Sequence, residues 1–158
     1  MSCGRRLVPW ILGAVAMAYA PALSAQALIT GLSDLQFGSW GGISDLEGAV
    51  DHCVFARPGG RFSVAATGVG SGGAFILQNG PGTLPFRVDY DDGSGWSQLD
   101  PGVPLTGQRG EPNLVQLARC LLGQRPPERV RVRILAQDLA AAIAGSYGGS
   151  LTLLITPE

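Results

Sequence analysis

Apolar and polar residues alternate over short stretches of this chain, and glycine or proline interrupts each stretch before it becomes long. Leu84, Phe86, Val88 and Tyr90 alternate with Pro85, Arg87, Asp89 and Asp91, the period of two that marks a half-buried strand. Arg129 to Leu135 repeats the pattern, with Val130, Val132 and Ile134 on one face and Arg129, Arg131 and Arg133 on the other. Similar alternation predicts strands over Leu32–Trp40, Ala49–Ala56 and Arg61–Thr67. In the first of these, Leu35 and Phe37 share a face. In the second, Val50, His52 and Val54 face away from Cys53 and Phe55. Ala74–Gln78, Trp96–Leu99 and Asn113–Leu121 read as shorter segments, with a polar, proline-rich connection over Asp100–Pro112. Gly80-Pro81-Gly82 and Asp92-Gly93-Ser94-Gly95 read as turns.

The last stretch carries the strongest architectural hint. Gly145, Gly148 and Gly149 lead into a closing strand from about Tyr147 to Thr156. A strand in that position needs a partner, because an unpaired edge is a template for association. One segment favours helix: Asp138 to Ala144, with Asp138 near its start and Gly145 as its stop. It reads as a short crossover helix before the last strand. Many short strands with turn signals between them predict an all-β, immunoglobulin-like β-sandwich.

Composition agrees, with 24 glycines and 11 prolines in 158 residues. The N-terminus changes the picture more. Arg5 and Arg6 precede an uncharged apolar run, Leu7 to Ala20, and small residues follow as far as Ala25-Gln26-Ala27. That is the layout of a secretory signal peptide over residues 1–27, cleaved after Ala27 or, failing that, after Ala25. Residues 28–158 then form a single exported domain with no later stretch apolar enough to span a bilayer. Beyond residue 27 there are nine arginines, no lysine and twelve acids, a net charge of −3. No nucleic-acid partner is expected from that balance.

Cys3 leaves with the leader, so the exported chain keeps Cys53 and Cys120. An even count in an oxidising compartment reads as one disulfide. It would close a loop of 68 residues, worth roughly 4 kcal/mol in the chain-entropy account.

Catalytic constellations are scarce, and the chain is not read as an enzyme. The one histidine, His52, adjoins a cysteine assigned to the disulfide, and strand neighbours face opposite ways. With the cysteines paired, no zinc ligand set remains. Asp89, Asp91, Asp92 and Asp100 loosely approach a calcium-loop spacing, but Ser94 stands where that loop needs glycine. The plain reading is a solvated hairpin. Thr67 to Gly73 is glycine-rich yet lacks the following helix and lysine of a phosphate cradle. The arginines at 129, 131 and 133 read as a solvent-facing or edge stripe that discourages aggregation. No cofactor or metal is expected.

Four places resemble one family. Leu35-Gln36-Phe37-Gly38-Ser39-Trp40 resembles an early "FGxY/W" strand. Asp51-His52-Cys53-Val54, followed by Arg61 to Gly68, resembles a cysteine strand and its successor. Leu84-Pro85-Phe86-Arg87-Val88 resembles an "LPYxL/V" strand, and Ala144-Gly145-Ser146-Tyr147 to Pro157 an "aGtYtdtLtltvtP" ending. In this order they resemble the spore coat protein U-like domain, the subunit fold of archaic chaperone–usher pili. The resemblance implies a sandwich lacking one strand and completed by a donated one, first from a periplasmic chaperone and then from a neighbouring subunit. It implies passage through an outer-membrane usher to a surface fimbrium, with adhesive or biofilm roles. Leu35, Phe37, Tyr147, Leu151, Leu153 and Ile155 are the assembly and strand-pairing positions it marks. The chain departs from the pattern in having only about Leu28 to Gly31 ahead of Leu32, and no cysteine before Cys53. That predicts a minor or tip-proximal subunit that accepts a strand more readily than it gives one. The alternative is a self-complete, non-polymerising secreted or cell-surface binding domain.

Overall fold

A computed structural model describes residues 25–125 and 127–158. Of the signal peptide expected over residues 1–27, residues 1–24 lie outside the described residues. Ten strands and two helices follow in order: β1 (Gln26–Thr30), β2 (Leu46–Arg57), β3 (Arg61–Thr67), β4 (Ile76–Asn79), β5 (Gly82–Pro85), β6 (Arg87–Asp91), β7 (Ser97–Leu99), β8 (Leu105–Arg109), α1 (Leu114–Leu121), β9 (Glu128–Ile134), α2 (Ala136–Ala141) and β10 (Thr152–Pro157).

Two antiparallel sheets form the layers of a sandwich. One has the order β1-β2-β9-β6-β7 and the other β10-β3-β8, with β4 and β5 as a separate hairpin. The core lies between the layers. Val54, Ala56, Phe62, Val64, Ala66, Val88 and Tyr90 are fully buried there, joined by Val50, Val130, Val132 and Ile134. These are the inward positions of the alternating strands, so the period of two sets the burial directly. Alternation also fixes register: β2 meets β9 from Leu46↔Ile134 to His52↔Glu128, and a one-residue slip would turn every valine outward.

The all-β sandwich and the short helix before the last strand agree with the expectation from sequence. Other assignments need correction. Leu32–Trp40 carries no strand. Gly31, just before the segment, and Gly38, within it, take positive φ (90° and 70°), which extended strand does not allow. The strand of that region lies upstream in β1, whose five residues each pair with β2. Cleavage after Ala27 would remove two of those five, whereas cleavage after Ala25 leaves all of them.

Asn113–Leu121 contains a helix instead of a strand. The Asn113 side chain caps it by accepting from the Gln116 N–H at 3.0 Å. Leu117 and Cys120, three apart, face the protein. The single strand expected over Leu84–Asp91 is two, because the chain passes from β5 in the hairpin to β6 in the large sheet at Phe86. The connection over Asp100–Pro112 contains β8. The closing strand is shorter than expected and starts at Thr152.

The Cys53–Cys120 disulfide is formed. It ties α1 to the outer face of β2, where Phe55 and Leu117 complete a second, small apolar cluster.

Candidate functional site

β10 is an edge strand. It pairs with β3 through six residues, Thr152↔Thr67 to Pro157↔Phe62, and among the described residues has no second neighbour in its sheet. β1 is an edge of the opposite sheet, and the two run close together. Among the described residues, the sandwich is therefore open along this seam.

A cleft of about 630 Å³ lies beside the seam. Its floor is Val50, Val130 and Val132 from the large sheet, with Leu77 and Phe86. One wall is Tyr147 to Leu151 and Leu153, leading into β10; the other is Leu32 to Phe37. The Tyr147 wall is anchored by Gln78 and Gly148, whose backbones exchange hydrogen bonds of 2.8 and 3.1 Å, and by Tyr147 Oη donating to the Ile143 carbonyl at 2.9 Å. The opposite wall has no strand pairing and is held by side chains. Leu35 and Phe37 press on Gly48 of β2, where an added Cβ would come within 3.0 and 3.1 Å of them. Gly48 is the gap into which these two residues fit.

The cleft brings together five of the six assembly positions read from sequence: Leu35, Phe37, Tyr147, Leu151 and Leu153. Ile155 lies further along β10, packed against the core and outside the cleft lining. Along β10, Leu153 and Ile155 face inward, while Leu154 is 63% exposed. The floor residues were legible as inward strand positions, but nothing in the sequence placed them opposite Tyr147.

The outer face of the large sheet differs from the expected stripe. β9 is its central strand, and its arginines are paired with carboxylates across the sheet. Arg129 donates to Asp91 at 2.7 Å, and Arg131 and Arg133 both donate to Asp89 Oδ2 at 2.9 and 3.0 Å. Burial pushes the Asp91 carboxyl up. The hydrogen bonds from Arg129 and from the Gly95 and Gly93 N–H groups outweigh burial and hold it below the usual range. The acids near this hairpin are thus occupied by a turn and by guanidinium groups.

A third polar cluster lies between the sheets and α1. His52 Nε2 and Tyr90 Oη are 3.1 Å apart, and His52 is 1% exposed. Burial lowers the His52 pKa and raises that of Tyr90, to which the neighbouring Glu128 charge adds. Glu128 accepts from the Val54 N–H at 3.1 Å, and Glu111 pairs with Arg125 at 2.6 Å. The Glu128 carboxyl and the sulfurs of Cys53 and Cys120 lie within 4.8 Å of one another. Both sulfurs are in the disulfide, so this cluster offers no thiolate to a metal.

No protein-family profile matches the chain, and no curated protein sequence matches it. Among solved structures, it is similar to a chain of a chaperone–tip adhesin complex described as vital for synergistic activation of CFA/I fimbriae biogenesis. The TM-score is 0.54 at 17% identity, covering 84% of this chain and 42% of that one. The likeness is one of fold, and this chain spans less than half of its neighbour's length. Among the described residues, no helix is long and apolar enough to cross a membrane.

Proposed function

We propose that this chain is an exported, non-catalytic subunit of a surface pilus that accepts a β-strand from a partner chain. The partner is first a periplasmic chaperone and then the next subunit, delivered through an outer-membrane usher. The observation that carries this reading is the cleft with an apolar floor beside the unpaired edge of β10. An incoming strand would gain main-chain hydrogen bonds from that edge. Its alternate side chains would fill the space between Leu153 and Val132, the usual division of affinity and specificity in strand addition. The six residues of β10 offer an edge of roughly 20 Å. The fold shared with a chain of a fimbrial chaperone–adhesin complex supports the reading. So does the resemblance of the sequence to spore coat protein U-like domains.

A second reading, a self-complete secreted or cell-surface binding domain, draws on Leu35 and Phe37, which already occupy part of the cleft. Hydrogen exchange on the exported chain separates the two. Strand acceptance predicts fast-exchanging amides along β10, slowed by an added peptide of alternating valine and threonine but not by one with lysine at every inward position. Amides of β10 that are already as protected as those of β3, with no response to the peptide, would favour the self-complete domain.

A further inference from the structure

We propose that the outer face of β9, β6 and β7 is a binding site for an acidic polysaccharide. The proposal stands on geometry remote from the cleft.

Trp96 leaves the β6–β7 turn and lies flat against this face. The guanidinium carbons of Arg129 and Arg131 sit 4.8 and 4.2 Å from its ring centroid. Trp96 is 36% exposed. A broad aromatic ring is thus backed by two guanidinium groups and open to solvent. Such a surface suits the C–H face of a pyranose ring.

Charge on this face is layered. Asp89 and Asp91 are about 5% exposed and lie beneath, while Arg129 and Arg133 remain partly exposed above them. Asp89 serves two guanidinium groups through one oxygen, while Glu47 and Asp51 flank the same arginines from β2. The charges therefore balance over the face as a whole, and among the described residues Arg87 is the arginine of this face left without a partner. Arg133, already bonded to Asp89 and opposite Glu47 on β2, stands directly opposite Arg87 in the β6–β9 register, a like-charge neighbour for Arg87. Among the described residues Arg87 has no ion pair, and the buried Arg133 Nε has no hydrogen-bond partner. Glu47 lies beyond Arg133 on β2 and reaches only Arg131, at 3.6 Å.

An anion between Arg87 and Arg133 would pair the free Arg87 guanidinium and share Arg133 with Asp89. Along a strand, two residues advance roughly 7 Å, so this anion would sit about one strand repeat from the sugar stacked on Trp96. A saccharide chain with a carboxylate or sulfate on a neighbouring ring matches that layout. A nucleic acid, with a phosphate at every nucleotide, would need a broad cationic field, which Asp89 and Asp91 beneath these arginines deny.

The test titrates the exported chain with oligogalacturonate, following tryptophan fluorescence and heat of binding. Neutral malto-oligosaccharide, dextran sulfate and polyglutamate are run alongside. The site predicts binding of oligogalacturonate or dextran sulfate, with the preferred one identifying the anion, and a weaker response to polyglutamate. Arg87→Gln removes an unpaired surface charge and should fold normally, yet lower affinity about tenfold, the effect expected of one charge-assisted contact. Trp96→Phe should abolish the fluorescence change and weaken binding. The proposal is overturned if neither acidic saccharide binds at millimolar concentration, or if polyglutamate binds as well as they do. It also fails if Arg87→Gln binds like the parent. A failed peptide experiment at the β10 edge would leave these outcomes untouched.

Discussion

Removing the charge from Glu128 should stabilise the protein at alkaline pH and do little at acid pH. Glu128 is 1% exposed, and burial pushes its carboxyl up from 4.5 to about 7, with the Glu111 carboxylate adding to the effect. The Val54 N–H and the Arg125 guanidinium oppose it without cancelling it. A carboxyl whose folded pKa is raised contributes fully below its unfolded value, near pH 4.5, and that contribution is lost as pH rises through about 7. At ~1.4 kcal/mol per pH unit, the loss by pH 8 amounts to about 3 kcal/mol.

His52 works in the opposite sense over part of the same range. Its lowered pKa means that the unfolded chain gains a proton below about pH 6.5 which the folded chain refuses, so its contribution falls as pH falls. The parent protein's own pH profile mixes the two, and the difference between parent and Glu128→Gln isolates the carboxyl. Glutamine keeps an acceptor for the Val54 N–H. Urea unfolding of both proteins at pH 4, 5, 6, 7 and 8, followed by tryptophan fluorescence, should show nearly equal midpoints at pH 4 and a difference of under about 1 kcal/mol at pH 5. A gap then widens to about 3 kcal/mol by pH 8, with the glutamine variant the more stable and m unchanged. A gap independent of pH, or a glutamine variant less stable than the parent at pH 8, would refute the reasoning.

Replacing Cys53 and Cys120 together by alanine should cost roughly 4 kcal/mol, set by the 67-residue separation they bridge, and calorimetry under identical buffers measures it. Hydrogen exchange in that variant should rise first in α1, which the disulfide holds against β2. Phe37→Ala should lower stability by about 2–4 kcal/mol and speed exchange along the free edge of β10, because it removes one of the two side chains that press on Gly48. The mass of the exported protein should correspond to a chain starting at Gln26, since that start preserves all five pairs of β1; a start at Leu28 would contradict this.

Where alternation reports burial, the sequence was readable. Val130, Val132 and Ile134 turned inward as their spacing implied, and Arg61–Thr67 matches β3 residue for residue. Leu35 and Phe37 also pack inward as expected, yet their segment is not a strand, because periodicity describes side chains and says nothing about a hydrogen-bonding partner. α1 was missed although Asn113 and the spacing of Leu114, Leu117, Cys120 and Leu121 carry a capped-helix signature. The cleft itself depends on long-range placement. Tyr147 reaches it because Gly148 bridges to Gln78, a contact between residues 70 apart that no local pattern encodes. Asp89 serving two arginines likewise follows from the β6–β9 register, not from the spacing of acids along the chain.

The Cys53–Cys120 link also sets how far the protein can be drawn out. A load applied between β1 and β10 would cross from Cys53 to Cys120 through the sulfurs, a Cα–Cα step of 6.1 Å. The 67 residues of separation between them would bear none of it. At ~3.5 Å per residue the bridge withholds about 230 Å of slack. It keeps β3 to β8 and α1 out of the line of load. Under tension the molecule would behave as a short tether with a hard stop, and reducing agent would roughly double its reach.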